Sequence, residues 1–297
     1  MKGIVLAGGK GTRLFPMTLA ISKHLLPIYD KPLIYYPISI LLMACIKDIL
    51  IVSTPEDQDS YKRLLGDGSH LGIKFSYVAQ KEPNGLPEAF ILGEAFLNGD
   101  AVTLILGDNI FYGDRFVNDY LKPAIASKIP TAFAYRVNNP ERYGVIEFDK
   151  EFNVISIKEK PKHPKSDYAI TGLYVFDNKA VEYSKRLKPS KRGELEILDI
   201  IESYKVNNCL KVQVLGRGIA WLDTGTCESM LDASNFIEAI EKRQGLKIAC
   251  LEEIAYQEGY ISLNSVYKLA LQYKGASYGN YLMKLIEGKN LEFHNPL

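Results

Sequence analysis

The sequence predicts an α/β protein with a mostly parallel central sheet flanked by helices, an added β-region in its middle and a helical C-terminal appendage. Three observations carry this. In the first half, short continuous apolar runs alternate with helical patterns, as expected of parallel strands buried on both faces. In the middle, four β-rich runs follow one another with little helix between them. From Cys250 onward only short helical patterns remain.

The elements follow in order. Ile4 to Ala7 is a compact apolar strand, and a glycine-rich turn comes directly after it. Leu33 to Ala44 reads as a helix, Ile49 to Thr54 as a strand, Asp57 to Leu65 as a helix and Lys74 to Val78 as a strand. A Pro-Asn-Gly turn leads into a helix over Leu86 to Phe96. Ala101 to Leu106 is apolar throughout and stops at Gly107. The four β-rich runs are Thr131 to Arg136, Gly144 to Phe148, Val154 to Lys158 and Ala169 to Phe176. Leu195 to Tyr204 reads as a helix, Leu210 to Leu215 as a strand and Thr226 to Gln244 as a long helix. Val266 to Leu271 and Tyr278 to Ile286 are short helical patterns. No repeat or linker interrupts the chain, so residues 1–245 are expected to form one main domain with 246–297 as its appendage.

Bulk properties narrow the function. The chain has 297 residues, 47% of them apolar, enough for a large core without disulfides. A net charge of +1 argues against a surface that wraps nucleic acid. The longest apolar stretch, Leu33 to Ile46, is too short to span a bilayer and contains Pro37. Gly8, Gly9 and Lys10 break the apolar N-terminal run, so it does not read as a secretory leader, and a cytoplasmic protein away from membranes is expected. Cys45, Cys209, Cys227 and Cys250 are far apart and are expected to be isolated buried thiols. His24, His70, His163 and His294 show no metal-ligand spacing.

The turn Ala7-Gly8-Gly9-Lys10-Gly11-Thr12-Arg13 has the chemistry of an anion site. Its glycines permit positive φ and let backbone N–H groups approach a phosphate. Arg13 adds a fixed, fork-shaped cation. The spacing is not that of a Walker A loop, because Lys10 sits between the glycines. Nor is it a dinucleotide fingerprint, since Arg13 and Leu14 stand where a third glycine is required.

The run continues as Leu14-x-Pro16-x-Thr18, then Ser22-Lys23-x-Leu25-Leu26-Pro27-Ile28. Further blocks are Tyr29-Asp30-Lys31-Pro32, Leu65-Gly66-Asp67-Gly68, Leu106-Gly107-Asp108-Asn109-Ile110-Phe111-Tyr112-Gly113 and Pro140-Glu141-Arg142-Tyr143-Gly144-Val145. After these come Glu159-Lys160-Pro161, Thr171-Gly172-Leu173-Tyr174, Arg192-Gly193-Glu194-Leu195-Glu196-Ile197 and Trp221-Leu222-Asp223-Thr224-Gly225-Thr226. Taken together, in order and nearly end to end, they resemble the sugar-1-phosphate nucleotidyltransferases, and among these the glucose-1-phosphate thymidylyltransferases.

The resemblance implies a Rossmann-like fold, with the nucleotide held by about residues 1–115 and the sugar phosphate by about 116–245. It implies transfer of a thymidylyl group from dTTP to glucose 1-phosphate, giving dTDP-glucose and pyrophosphate, the first step of dTDP-sugar synthesis of the dTDP-rhamnose type. Both reactants are anions, so such a reaction needs charge neutralised and two phosphates held in contact. A sugar phosphate is already ionised near neutral pH and needs no general base.

Read from the residues alone, Asp108 closes an apolar strand, and ligands of open α/β sheets bind beyond such ends. Asp223 lies in a second strand-end turn. Either carboxylate suits Mg²⁺ or the cap of a turn. The resemblance assigns both to Mg²⁺. It also implies that Ala7, Gly8, Gly9, Gly11, Thr12, Arg13, Lys23, Gln80, Gly85 and Asp108 contact the nucleotide. Arg13 would hold the departing phosphates, Lys23 the α-phosphate and Lys160 the sugar phosphate. Asn109, Tyr143, Gly144, Glu159, Lys160, Ile170 and Thr171 would hold the sugar. Gln80 can both donate to and accept from a pyrimidine edge.

Two departures stand out. His24 occupies a position where thymidylyltransferases usually carry a base-reading Gln, and the loop Lys81-Glu82-Pro83-Asn84-Gly85-Leu86 differs from the commoner Pro-Ser-Pro-Asp-Gly-Leu. UTP, another sugar phosphate or a nucleotide-sensing role without turnover therefore stay open, although Arg13, Lys23, Asp108 and Asp223 are all present. The C-terminal blocks around Cys250 to Tyr256 and Tyr278 to Leu282 imply a homotetramer with feedback inhibition by a dTDP-sugar such as dTDP-rhamnose.

Overall fold

The computed structural model describes residues 1–151 and 153–288. The end of the expected appendage, residues 289–297 with His294, lies outside the described residues. The strands are β1 (Lys2–Ala7), β2 (Pro27–Ile28), β3 (Lys31–Pro32), β4 (Asp48–Ser53), β5 (Lys74–Ala79), β6 (Val102–Leu106), β7 (Asn109–Tyr112), β8 (Thr131–Arg136), β9 (Gly144–Phe148), β10 (Val154–Glu159), β11 (Tyr168–Phe176), β12 (Lys211–Val214) and β13 (Ala220–Asp223). The helices are α1 (Tyr35–Met43), α2 (Gln58–Leu65), α3 (Glu88–Leu92), α4 (Glu94–Leu97), α5 (Lys122–Ser127), α6 (Lys179–Arg186), α7 (Ile197–Val206), α8 (Cys227–Gln244), α9 (Leu251–Gln257), α10 (Leu263–Gln272) and α11 (Ser277–Ile286).

One nine-stranded sheet forms the centre, in the order β10-β9-β11-β6-β1-β4-β5, with β8 and β12 joined through β11. The block β6-β1-β4-β5 is wholly parallel. Its apolar strands supply both faces. Val5, Ile49, Ile51 and Ile105 face the cluster under α1 and α9. Ile4, Leu6, Leu50, Val52 and Leu104 face the cluster under α3 and α7. The period of two along each strand makes this division, and burying each such side chain contributes about 1.5–3 kcal/mol. The middle strands pair antiparallel onto β6 and one another through β11. They add the expected β-region to the same sheet.

Several boundaries differ from the sequence reading. The helix expected over Leu86 to Phe96 is two short helices broken at Gly93. The helix expected from Leu195 begins at Ile197, because Leu195 bridges to Gly85 in extended conformation. Only Cys250 of the four thiols is buried; Cys45, Cys209 and Cys227 are exposed. Each of those three sits at a turn or helix end, and such connecting segments run over the surface.

α8 starts in a reciprocal cap. Ser229 N–H donates to Thr226 Oγ1 at 3.2 Å, and Thr226 N–H to Ser229 Oγ at 2.9 Å. Near its other end, buried Glu241 accepts from Lys31 Nζ at 2.8 Å, from Lys247 Nζ at 3.3 Å and from Ile248 N–H at 2.9 Å. Asp30 pairs with the same two lysines. This four-charge knot ties the β2–β3 hairpin to α8 and to the segment leading into α9.

Candidate active site

The site forms where β1, β4, β5 and β6 end. Gly9 and Gly11 take positive φ of 96° and 59°, which lets the chain double back after β1. Thr18 Oγ1 fixes the turn by donating to Gly11 O at 2.8 Å. A cleft of about 640 Å³ opens beside it, lined by Gly9, Lys10 and Phe15, by Thr54 and Asp57 beyond β4, and by Gln80 and Pro83 beyond β5. Ligands of open α/β sheets sit at such strand ends.

Two turns deliver the acidic pair. β6 ends at Leu106, and after Gly107 the chain enters β7 at Asn109, leaving Asp108 at the bend. β13 pairs antiparallel with β7 in a register that sets Asp223 opposite Asn109. Asp108 O then accepts from Thr224 N–H at 3.1 Å and Thr224 Oγ1 at 2.9 Å. Asp108 and Asp223 thus lie side by side. Lys23 Nζ forms an ion pair with Asp108 Oδ2.

The two carboxyl groups differ. Burial alone would raise Asp108, but the Lys23 charge, His24 and the bonds from Lys23 and Asn109 hold it below the usual carboxylate range. Asp223 is raised, first by burial and then by the charge of Asp108; Lys23, Arg13 and Arg142 only partly offset this. Arg142 Nη2 stands 3.9 Å from Asp223 Oδ2. Arg13 crosses to the same place: a Cβ on Gly225 would lie 3.3 Å from its guanidinium nitrogens and from Asp223 Oδ1.

Asn109 is 3% exposed, with both ends of its amide engaged. Its Oδ1 accepts from Trp221 Nε1 at 2.6 Å and Gly172 N–H at 3.0 Å, while Nδ2 donates to Asp108 Oδ1 at 2.9 Å. It braces Asp108 and β11. The other expected sugar residues gather nearby. Glu159 registers with Gly144 across β10 and β9. Its Oε1 lies 3.4 Å from Lys160 Nζ and 3.3 Å from Arg192 Nη1. Lys160 N–H donates to Tyr143 O at 3.0 Å, and the Tyr143 ring packs at 5.2 Å from Trp221. Ile170 and Thr171 are buried on β11, and among the described residues Thr171 Oγ1 has no hydrogen-bond partner.

Three residues beside the cleft are placed by their packing partners. His24 is 2% exposed. Its Nδ1 faces Ser22 Oγ at 3.3 Å and Tyr61 OH at 3.2 Å, and its other edge fills the space a Gly107 side chain would need. Burial, reinforced by the Lys23 charge, lowers its pKa to about 3. Gly85 turns its bare face to the chain: at φ 102° a Cβ would meet Leu195 O at 2.1 Å. Gln80 Nε2 is committed, donating to Gly85 O at 3.1 Å and Glu88 Oε2 at 2.7 Å. Arg142, Arg192 and Glu88 join the site without having been singled out; the two arginines lie inside the quoted motif blocks, whereas nothing local marks Glu88.

The donor set suits a hard cation. Among the described residues no group of three or more His, Cys, Asp or Glu could hold a metal, so two carboxylates are what the protein offers. Mg²⁺ commonly binds through one or two carboxylates with phosphate oxygens and water completing its shell.

A sequence profile of the nucleotidyl transferase family matches residues 2–240. The glucose-1-phosphate thymidylyltransferase of Neisseria meningitidis serogroup A is 54% identical over 97% of this chain and 100% of its own length. This chain belongs to the glucose-1-phosphate thymidylyltransferase family. Another member, from Mycobacterium tuberculosis, is 49% identical over 97% of this chain and 99% of its own. A crystal structure from Bacillus anthracis assigned to the same family, in complex with sucrose, superposes with a TM-score of 0.73 at 38% identity, covering 80% and 94% of the two chains. A UDP-glucose pyrophosphorylase complexed with UDP-glucose gives 0.71 at 25% identity over 82% and 98%. As a member of this family the chain is a nucleotidyltransferase. Among the described residues no helix is long and apolar enough to cross a membrane.

Proposed function

We propose that this chain transfers a thymidylyl group from dTTP to glucose 1-phosphate, releasing pyrophosphate and giving dTDP-glucose. The observation that carries this reading is the meeting of Lys23, Asp108, Asp223 and Arg13 at the strand ends beside the glycine turn. The sugar 1-phosphate oxygen attacks the α-phosphorus in line, and the bond to pyrophosphate breaks. Gly8, Gly9, Gly11 and Thr12 cradle the triphosphate, Arg13 neutralises the leaving pyrophosphate, and Lys23 bears on the α-phosphate as charge builds there. Lys160 holds the attacking phosphate, while Glu159 binds sugar hydroxyls beside Tyr143, Gly144, Ile170 and Thr171. Mg²⁺ held by Asp108 and Asp223 together would supply charge neutralisation at the phosphates.

Residues 1–245 would act as the nucleotidyltransferase domain, divided near residue 115 between nucleotide and sugar phosphate, with the C-terminal helices serving a homotetramer inhibited by a dTDP-sugar. A cytoplasmic location accords with nucleotide substrates. UTP is a second donor to consider, given the likeness to a UDP-glucose pyrophosphorylase. Pyrophosphate release measured across dTTP, UTP, CTP, ATP and GTP with several sugar 1-phosphates tests the reading. Highest turnover is expected for dTTP with glucose 1-phosphate, and no release from any pair would overturn it.

A further inference from the structure

Glu88 Oε2 accepts a hydrogen bond from the Gln80 amide at the edge of the cleft. A side-chain amide has a donor end and an acceptor end, and its neighbours decide which end faces where. Gln80 is 9% exposed and lines the 640 Å³ cleft. One end of its amide lies 3.1 Å from Gly85 O and 2.7 Å from Glu88 Oε2. A backbone carbonyl and a carboxylate only accept, so the end facing them is the NH₂ group, with both hydrogens engaged. The free end is Oε1, 3.2 Å from where a Cβ on Gly8 would sit, beside the glycine turn. Among the described residues no hydrogen bond is donated to it.

Glu88 is itself held. Asn84 Nδ2 donates to Glu88 Oε1 at 2.8 Å, and Asn84 O accepts from Leu195 N–H at 2.7 Å. The loop that departs from the commoner family sequence thus carries its own anchor, running from Leu195 through Asn84 and Glu88 to Gln80.

We infer that Glu88 is a positioning residue for base selectivity: by holding the Gln80 amide with its oxygen toward the cleft, it favours pyrimidines whose ring N3 carries a hydrogen. Thymine and uracil donate from N3, whereas cytosine presents a lone pair there, so two acceptors would face each other. A buried site built for one hydrogen bond rejects the analogue that lacks it by large factors. This inference rests on the pyrimidine nucleotide occupying the cleft as proposed above.

The test is equilibrium binding of dTTP and dCTP by calorimetry, which needs no turnover, to the full chain and its E88Q, E88L and N84A variants, each checked for folding by circular dichroism. The unaltered protein is expected to prefer dTTP by about 100-fold or more. E88L, which removes the acceptor, is expected to cut that preference at least tenfold, and E88Q, which keeps a carbonyl oxygen, and N84A, changed at an exposed side chain, to cut it less. In a Q80L background, E88L should cause no further change, because Glu88 acts through the Gln80 amide. A preference kept within twofold in E88L overturns the inference, as does an equal loss with and without Gln80. Failure of the functional reading looks different: the unaltered protein would bind neither nucleotide, or would release no pyrophosphate with glucose 1-phosphate.

Discussion

Asp223 sits directly opposite Asn109 in the β7–β13 ribbon, which brings its carboxyl beside that of Asp108. The two carboxyl groups repel, and Asp223 is raised as burial and the Asp108 charge combine. A divalent cation between them would relieve this. Chelation is therefore expected to abolish pyrophosphate release, and Mg²⁺ to restore it. Asp223→Asn is expected to raise the Mg²⁺ concentration needed for half-maximal rate by at least about tenfold. Titrating Mg²⁺ against rate for both proteins checks this.

Lys23 is paired with Asp108 in the free protein. Asp108 would hold Mg²⁺ and supply charge neutralisation there, and the Lys23 ammonium beside it would bear on the reacting phosphate. Lys23→Ala is expected to lower kcat by about 100- to 1,000-fold, the usual cost of removing one positioned donor for developing charge. KM for glucose 1-phosphate should change much less. Steady-state kinetics separates the two effects.

Acid should destabilise the fold through His24. Its pKa falls from 6.5 to about 3 on folding, so below pH 6.5 the unfolded chain binds a proton that the native one does not. Stability from this group is complete above pH 6.5 and is lost as pH falls toward 3, at up to about 1.4 kcal/mol per pH unit. Melting temperature is expected to fall between pH 7 and 5, with a shallower slope in His24→Gln. Thermal scans of both proteins across that range decide the matter.

Glu241 is buried between Lys31 and Lys247. Glu241→Gln leaves Asp30 as the one carboxylate for two ammonium groups and so one positive charge uncompensated, which is expected to cost about 3–5 kcal/mol. Urea denaturation followed by circular dichroism measures this, and an unchanged midpoint would show that the knot does not hold the fold.

Gly85→Ala is expected to cost about 2–3 kcal/mol, because its φ of 102° disfavours a side chain and its Cβ would strike Leu195 O. It should also disturb nucleotide affinity, since Gly85 O holds the Gln80 amide. Denaturation and dTTP binding on the same variant report both.

The sequence by itself determined the alternation of parallel strands and helices, the glycine turn, the acid at the end of β6 and the cations suited to phosphate. These are local properties: periodicity, backbone freedom at glycine and the fixed charge of a side chain act within a few residues. Ordered motif blocks also carried Asp223 and Lys160 into the reading, although nothing in their spacing links them to Asp108.

Only the tertiary structure decided which side of each residue is used. Strand register set Asp223 next to Asp108. Packing against Tyr61 and Gly107 buried His24 as a core residue, and Leu195, far along the chain, explains Gly85. Asn109 became a brace once Trp221 and Gly172 closed on its oxygen, and two acceptors fixed the face of Gln80. Each of these outcomes depends on a hydrogen-bond partner or a steric neighbour distant in sequence, and such partners exist only after the chain has folded.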